Sequence, residues 1–307
     1  MSVLVVGSLA LDDIETPAEK RTGVLGGSAV YFSAAASLLD HVRMVGVVGD
    51  DFPEHALADL EKKGVDTRGV MKRPGRTFHW SGRYHENPND RDTLETVLGV
   101  FAEFEPQLPA EYADSEMVFL ANIDPGLQLK VLDMMDSPGF VALDTMNYWI
   151  EGKPGALEKV LERVDTLLIN DSEAELLSRR IGLPAAAREI RSMGPKTVVI
   201  KLGKHGALVF REDDLFYAPG LPMDDVKDPT GAGDSFAGGF VAALSLLGYK
   251  DNDNYRRAAI IGSAAASFTI QGFGVEALMA ADRDDLAGRA ERFVDLSRIP
   301  MPILPVK

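Results

Sequence analysis

Apolar residues in this chain fall into short runs separated by segments of a different period. The runs "VLVVGSL" (3–9), "VRMVGVVG" (42–49), "MVFLAN" (117–122), "FVALDT" (140–145), "TLLIN" (166–170) and "TVVIKLG" (197–203) are strand-length and rich in β-branched residues. Each is apolar at odd and even positions alike. Strands of that kind belong to a parallel sheet covered on both faces by helices. Between them, "SAVYFSAAASLL" (28–39), "PEHALADLEKKG" (53–64) and "DSEAELLSRRIG" (171–182) carry helical spacing. The alternation predicts an α/β fold with a doubly wound, mostly parallel sheet flanked by helices.

One region departs from this rhythm. Residues 76–104 contain two β-rich runs, around 77–84 and 93–101, joined by a polar "ENPND" turn. The pattern predicts an antiparallel pair inserted after the second or third α/β unit. Such a hairpin is either a lid over the strand ends or an edge hairpin that caps the sheet, and the pattern leaves both open. No repeat, low-complexity tract or interdomain linker is visible.

Composition narrows the class. Hydrophobic residues make up 46% and charged residues 26% of the 307 positions, close to globular averages, so a sizeable core is expected. The chain has no cysteine, which excludes disulfides and thiolate metal sites and suits a cytoplasmic location. "MSVLVVGSLALDD" lacks a basic leader and reads as a first buried strand, not as a signal peptide. No stretch approaches the roughly 18 apolar residues of a membrane span. A net charge of −15 argues against nucleic acid as a partner, which needs clustered Lys and Arg. An anionic ligand then needs a locally positive site.

The stretch "DPTGAGDSFAGGFVAAL" carries the most chemistry. Phe236, Phe240, Ala243 and Leu247 fall at helical spacing, predicting a helix from about 233 to 248. Pro229 stiffens the approach, and Gly231, Ala232 and Gly233 leave backbone N–H groups bare at the helix N-terminus, a ready anion site. Asp234 in the same turn can take a proton from a hydroxyl held nearby, which is the logic of phosphoryl transfer. Taken alone, Asp234 is equally a first-turn acid that complements the helix dipole. Gly238 and Gly239 inside the helix cost roughly 1 kcal/mol each against alanine, so close packing or ligand approach must offset them. No G-x-x-x-x-G-K-[ST] P-loop is present, and Gly7 is not followed by the further glycines of a dinucleotide fingerprint.

Other polar residues carry two readings each. Asp12 and Asp13 follow the first apolar run; Asp12, placed at a strand's carboxyl end, is read as a ligand contact. Asp50 and Asp51 ahead of Pro53 are read as helix caps. His79 and His85, six apart with no third ligand evident, read as lid surface and not as a metal site. Asn122, Asp124, Asp144 and Asn147 lie just past predicted strands, where ligands bind in open α/β sheets, though turn roles serve them nearly as well. Asn170 with Glu173 has the spacing of a capping box.

The stretch 228–240 closely resembles the C-terminal signature of the ribokinase-like (PfkB) carbohydrate kinase family. Further motifs occur in the family's order: "VVGSLALDD", the glycine pair of "LGGSAVYFSAAASLL", "VGVVGDDF", the N-x-x-E of Asn170 and Glu173, and "VIKLGKHGALVF". The resemblance covers about residues 3–275. It implies one domain over 1–307 with a small β lid at about 13–25 and 75–103, and an ATP- and Mg2+-dependent kinase of a small sugar or polyol. A nucleoside kinase of the same family is the alternative, and a non-catalytic nucleotide or sugar sensor a second one.

Carried onto this sequence, the resemblance makes Asp234 the catalytic base and Gly231, Ala232 and Gly233 the anion hole. Asn170 and Glu173 hold the magnesium–phosphate region, Glu173 through water, and Lys201, Gly203 and Gly206 line the nucleotide turn. Asp228 and Thr230 match positions that bind a monovalent cation, K+, in some members. Asp12, Gly26, Gly27, Ser28 and Tyr31 match the acceptor side, which Asn122 joins from its strand end. Three ribose contacts of ribokinases are changed, with Ala10, Ser28 and Tyr31 at their places. The resemblance also implies a homodimer formed through the lid.

Overall fold

The computed structural model describes residues 2–87 and 91–298. Positions 88–90 of the expected "ENPND" turn lie outside the described residues. Thirteen strands are present among the described residues: β1 Ser2–Val6, β2 Ala10–Glu15, β3 Lys20–Gly26, β4 His41–Val48, β5 Val65–Lys72, β6 Phe78–Tyr84, β7 Arg91–Val97, β8 Met117–Leu120, β9 Phe140–Asp144, β10 Thr166–Asn170, β11 Thr197–Lys201, β12 Gly206–Arg211 and β13 Asp214–Pro219.

Nine of them form the main sheet in the order β13-β12-β11-β10-β9-β8-β1-β4-β5. From β11 to β5 the pairs are parallel; β12 and β13 add an antiparallel edge. The order runs outward in opposite directions from β1, so the crevice between the carboxyl ends of β1 and β8 is the topological switch point where ligands bind in such sheets. Alternate residues of β1 feed opposite faces: Val3 and Val5 join one core layer, Leu4 and Val6 the other. This two-sided burial is the physical reason the strands read as unbroken apolar runs.

All six apolar runs become parallel strands of this sheet, but the first ends at Val6, three residues short of the run. The chain leaves the sheet at Gly7, whose N–H still bonds to the Val45 carbonyl (3.2 Å), and re-enters extended structure as β2 of a second sheet. That sheet has four strands in the order β3-β2-β6-β7. The expected hairpin is its β6–β7 half, with the second run ending at Val97 and the segment Gly99–Glu103 turning as a 3-10 helix.

Asp50 and Asp51 do not cap the helix Glu54–Lys62, whose N-cap is Pro53 without a side-chain bond. Asp50 accepts from the Gly75 N–H (3.0 Å), and Asp51 accepts from the Thr77 N–H (2.8 Å) and hydroxyl (2.7 Å). The N–H groups of Gly75 and Thr77, where β5 gives way to β6, take these carboxylates and tie the second sheet to the first.

The helix Ala232–Leu247 is buried through most of its length between the helices Ser28–Ala36 and Asn252–Thr269. Its two interior glycines are explained by packing. A Cβ on Gly238 would fall 2.3 Å from the Phe32 carbonyl oxygen, and one on Gly239 2.8 Å from the Ala265 Cβ. Close approach of three helices offsets the propensity cost of each glycine. Gly238→Ala is therefore expected to destabilise the protein by about 1–3 kcal/mol through overpacking, despite alanine's better helix propensity. Denaturant unfolding checks this, and a stabilised variant would contradict it.

Candidate active site

Three adjacent strands end in polar residues at the carboxyl edge of the main sheet: Asp144 on β9, Asn170 on β10 and Lys201 on β11. Asn170 and Lys201 are register partners. Lys201 does not extend along the turn that follows it. Its Nζ donates to Asp144 Oδ2 at 2.7 Å, and both side chains are largely buried. Asn170 and Glu173 form a complete capping box: Asn170 Oδ1 accepts from the Glu173 N–H (2.8 Å), and Glu173 Oε2 accepts from the Asn170 N–H (3.1 Å).

The helix Ala232–Leu247 points its N-terminus at this row. Gly231 caps it in the left-handed region, at φ 73°, a conformation that costs glycine little. The Tyr31 ring lies directly on it, so a Cβ there would fall 2.2 Å from the ring. The Ala232 N–H bonds to the Pro229 carbonyl at 3.2 Å, which closes the turn. The N–H groups of Gly231 and Gly233 have no acceptor among the described residues, as the first turn of a helix requires unless a ligand supplies one. A Cβ on Gly233 would stand 3.3 Å from Lys201 Nζ, so the turn and the strand-end lysine face each other.

The second sheet closes the other side. Asp12 lies in the middle of β2 and not at the end of the first strand, and its carboxylate fills the space a Gly26 side chain would need. Gly27, at φ +98°, packs its backbone against the Ser8 carbonyl and the Ala10 nitrogen. Ser28 and Ser8 bond reciprocally through backbone N–H and hydroxyl groups (3.1–3.2 Å), so Ser28 pins the loop after β1. From β6, the Tyr84 hydroxyl meets the Thr230 hydroxyl at 3.0 Å. Asp228 is fully buried, accepting from the Thr230 N–H (2.9 Å) and the Gly274 N–H (3.3 Å). Tyr31 is buried too, and its hydroxyl has no hydrogen-bond partner among the described residues.

Gly203 and Gly206 shape the β11–β12 turn: Gly206, at φ +100°, packs against the backbone of Ala218 and Gly220. Asn122 accepts from the Trp149 indole at 3.0 Å and reaches the Met146 sulfur, while Asp124 is the N-cap of the helix Pro125–Met134. His79 and His85 stand against Asp13 and Asp92 on the second sheet, and no cluster of three metal-ligating residues occurs among the described residues.

Crowding of carboxyl groups shifts their acidities. Burial, then the charge of Asp144, pushes the Asp234 carboxyl up to about 7; Lys201 and Arg91 partly offset this. Burial, with Asp228, Asp13 and Asp234 behind it, pushes Asp12 up to about 8. Burial also raises Glu173 and Asp228. Burial works against the Lys201 charge, but Asp144 and Glu173 outweigh it, and the ammonium is held more firmly than usual.

The sequence offers Asp144 equally as a turn residue and does not single out Tyr84 or Arg91. Asp144 had a signal in its strand-end position. Tyr84 and Arg91 had none, because their relevance comes from how the second sheet docks.

The Asp12 shift has a measurable consequence. An acid held neutral in the folded state adds stability that is complete below its unfolded value near 4 and is lost as pH rises through about 8. Melting temperature is expected to fall between pH 5 and pH 9, and Asp12→Asn to flatten that fall. An unchanged slope in the variant would contradict the burial argument.

The model of the pfkB family carbohydrate kinases matches residues 3–281. A cytidine kinase of Thermococcus kodakarensis is 31% identical over 251 residues, covering 80% of this chain and 89% of the relative. Among solved structures, Burkholderia thailandensis nucleoside kinase in complex with inosine shares the fold with a TM-score of 0.79 at 22% identity, over 95% of this chain and 98% of that one. A ribokinase II candidate from E. coli, in complex with ATP and Mg2+, does so with a TM-score of 0.77 at 20% identity, over 95% and 99%. Among the described residues no helix is long and apolar enough to cross a membrane. The matched span runs from β1 past the helix Ala232–Leu247 and takes in the glycine turn, the strand-end row and the second sheet: the chain belongs to the pfkB family of carbohydrate kinases.

Proposed function

We propose that this kinase transfers the γ-phosphoryl group of ATP to a hydroxyl of a sugar or nucleoside, with Asp234 as the base. The observation that carries the reading is a carboxylate raised to about 7 in the first turn of a helix whose neighbouring N–H groups are bare. A base that titrates near neutrality combines the ionised form with useful proton affinity. A sensor without catalysis would have no use for it.

The residues present fit a magnesium nucleotide. Glycines at 231 and 233 leave the cradle open, and among the described residues no three carboxylates converge to cage a metal alone, as suits an ion that keeps waters and binds through phosphate oxygens. Glu173 would hold it through water, bonded as it is to Asn170 and under the influence of the Lys201 charge. Mg2+ supplies neutralisation of phosphate charge, and ATP the phosphoryl group itself. Gly203 and Gly206 shape the turn for the rest of the nucleotide.

The chain's own residues do the remainder. Asp234 accepts the acceptor's hydroxyl proton as the oxygen forms its bond to phosphorus, and the bond from phosphorus to the bridging oxygen of ADP breaks. N–H groups of the turn stabilise charge on the transferring oxygens. Asp12, neutral near pH 7, can donate to an acceptor hydroxyl, and the orphaned Tyr31 hydroxyl is the second polar contact available on that side. The second sheet is the lid over the acceptor, latched to the turn by Tyr84 and Thr230.

A nucleoside is favoured over a free sugar as acceptor. The cytidine kinase similarity supports it, and Ser28, one of the changed ribose positions, is occupied by Ser8. A role for Asp228 and Thr230 toward K+ would require regrouping of their present bonds to Gly274 and Tyr84.

Acceptor-dependent ADP release from MgATP, across sugars, polyols and nucleosides, tests this function. Asp234→Asn is expected to lower turnover by about a hundredfold or more with the fold intact; retention of full activity would remove Asp234 as base. In the unsubstituted enzyme kcat/KM is expected to rise with pH through about 7, since the base must be ionised. Asp144→Asn removes a neighbouring negative charge and frees Lys201, so it should move that acid limb to lower pH. A limb that stays in place would contradict the assigned cause.

A further inference from the structure

Gln128 is fully buried at a position its helix offers to an apolar side chain. The helix Pro125–Met134 turns Val131 and Leu132 inward together with it, the spacing of a core-facing stripe. An amide buried there must find partners or lose free energy. Its carbonyl oxygen has none among the described residues. The amide nitrogen has two, so what this side chain contributes beyond volume comes from its donors.

Those donors act where two strands end. β8 and β9 pair in parallel register up to Leu120 and Leu143, and one step further stand Ala121 and Asp144. The Ala121 N–H still bonds to the Val6 carbonyl of β1 at 3.0 Å. Gln128 Nε2 donates to the Ala121 carbonyl (2.9 Å) and to the Asp144 carbonyl (3.2 Å). An amide NH2 carries two hydrogens, one for each carbonyl. The side chain thus joins β8 to β9 one residue past their last register pair.

Asp144 is thereby held at three points. Its backbone carbonyl is bonded to Gln128, Oδ1 accepts from the Thr145 N–H (2.8 Å), and Oδ2 accepts from Lys201 Nζ (2.7 Å). Lys201 Nζ in turn lies 3.3 Å from where a Cβ on Gly233 would stand, in the first turn of the helix that carries Asp234. Gln128 and Asp144 are buried and Lys201 largely so, and turning the Asp144 backbone away from Lys201 would break a bond that water is not there to replace.

We infer that Gln128 is a positioning residue of the phosphoryl centre: its amide fixes the Asp144 backbone, the Asp144 carboxylate holds Lys201, and Lys201 keeps its place against the glycine turn. The inference rests on the kinase reading for what the centre does; the linkage itself does not depend on it. It gives a part in the chemistry to a helix outside both the turn and the strand-end row.

NMR of the Lys201 ammonium group, in protein without nucleotide or acceptor, tests the linkage. A buried ammonium bonded to a carboxylate exchanges slowly enough to give a proton–nitrogen correlation signal, and Asp144→Asn serves as the broken-pair reference. Gln128→Met removes the donors at nearly constant volume, and is expected to shift or broaden that signal toward the reference. An unchanged signal, with only a lower melting temperature, would reduce Gln128 to a strand staple and overturn the inference. Should Gln128→Met not fold, the linkage is read in reverse. The Gln128 side-chain amide signals are expected to move in Lys201→Met, and signals that stay in place would overturn it equally. In phosphoryl transfer, Gln128→Met is expected to lower kcat about tenfold with KM for MgATP within twofold, and an unchanged kcat would contradict the positioning role. An unsubstituted protein that gives the Lys201 signal but transfers no phosphoryl group separates failure of the kinase reading from failure of the linkage.

Discussion

The contact between the Tyr31 ring and the bare backbone of Gly231 sets the geometry on which the rest of the site depends. No side chain larger than hydrogen fits beneath the ring, and the left-handed φ of 73° separately favours glycine there. With the turn held there, the Ala232 N–H bonds back to Pro229 and the helix begins at once. Gly233 then lies against Lys201, and Asp234 comes under the influence of Asp144. The interior glycines extend the same arrangement downward: they let the helix sit close against Phe32 on one side and Ala265 on the other. Tyr31 and Phe32 are neighbours on one helix, so a single element positions both the turn and the body of the helix that follows it.

Electrostatics gives that geometry its chemistry. The centre gathers acids from distant parts of the chain: Asp12 from the second sheet, Asp144 from a strand end, Asp228 and Asp234 from either side of the turn. Burial and mutual repulsion hold Asp12 and Asp234 near or above neutrality. On the proposed reading the two part in function. Asp12 remains a donor near pH 7, while Asp234 is poised to ionise. Lys201 is bonded to Asp144, and so tempers the field at Asp234 without pairing with it directly. In a chain of net charge −15, the few cations near the turn matter more than their number suggests.

Much of this was legible because it is local. Two-sided apolar runs specified the parallel strands, Asn170 and Glu173 specified a capping box at a spacing of three, and the glycine turn announced a helix start three residues before the first periodic apolar position. Contacts between remote segments left no such trace. Asp144 and Lys201 are 57 residues apart, and Tyr84 and Thr230 are 146 apart; no periodicity links them. Asp50 and Asp51 show the converse. They stand ahead of a helix as caps do, but the N–H groups of Gly75 and Thr77 claim them instead. Asp12 was placed at a strand end because the apolar run continues past Val6, whereas Gly7 takes the chain out of one sheet and into another. The ordered motifs of the family resemblance do not extend to Tyr84 or Arg91, whose placement depends on how β6 and β7 dock.

The most direct test of the turn as the phosphoryl site is a crystal structure of the protein with Mg·AMP-PNP. The γ-phosphoryl oxygens are expected to accept from the N–H groups of Gly231 or Gly233, with the Asp234 carboxylate open toward the acceptor side. A γ-phosphoryl group bound away from this turn, with those N–H groups still bare, would contradict the assignment of Asp234 as the base.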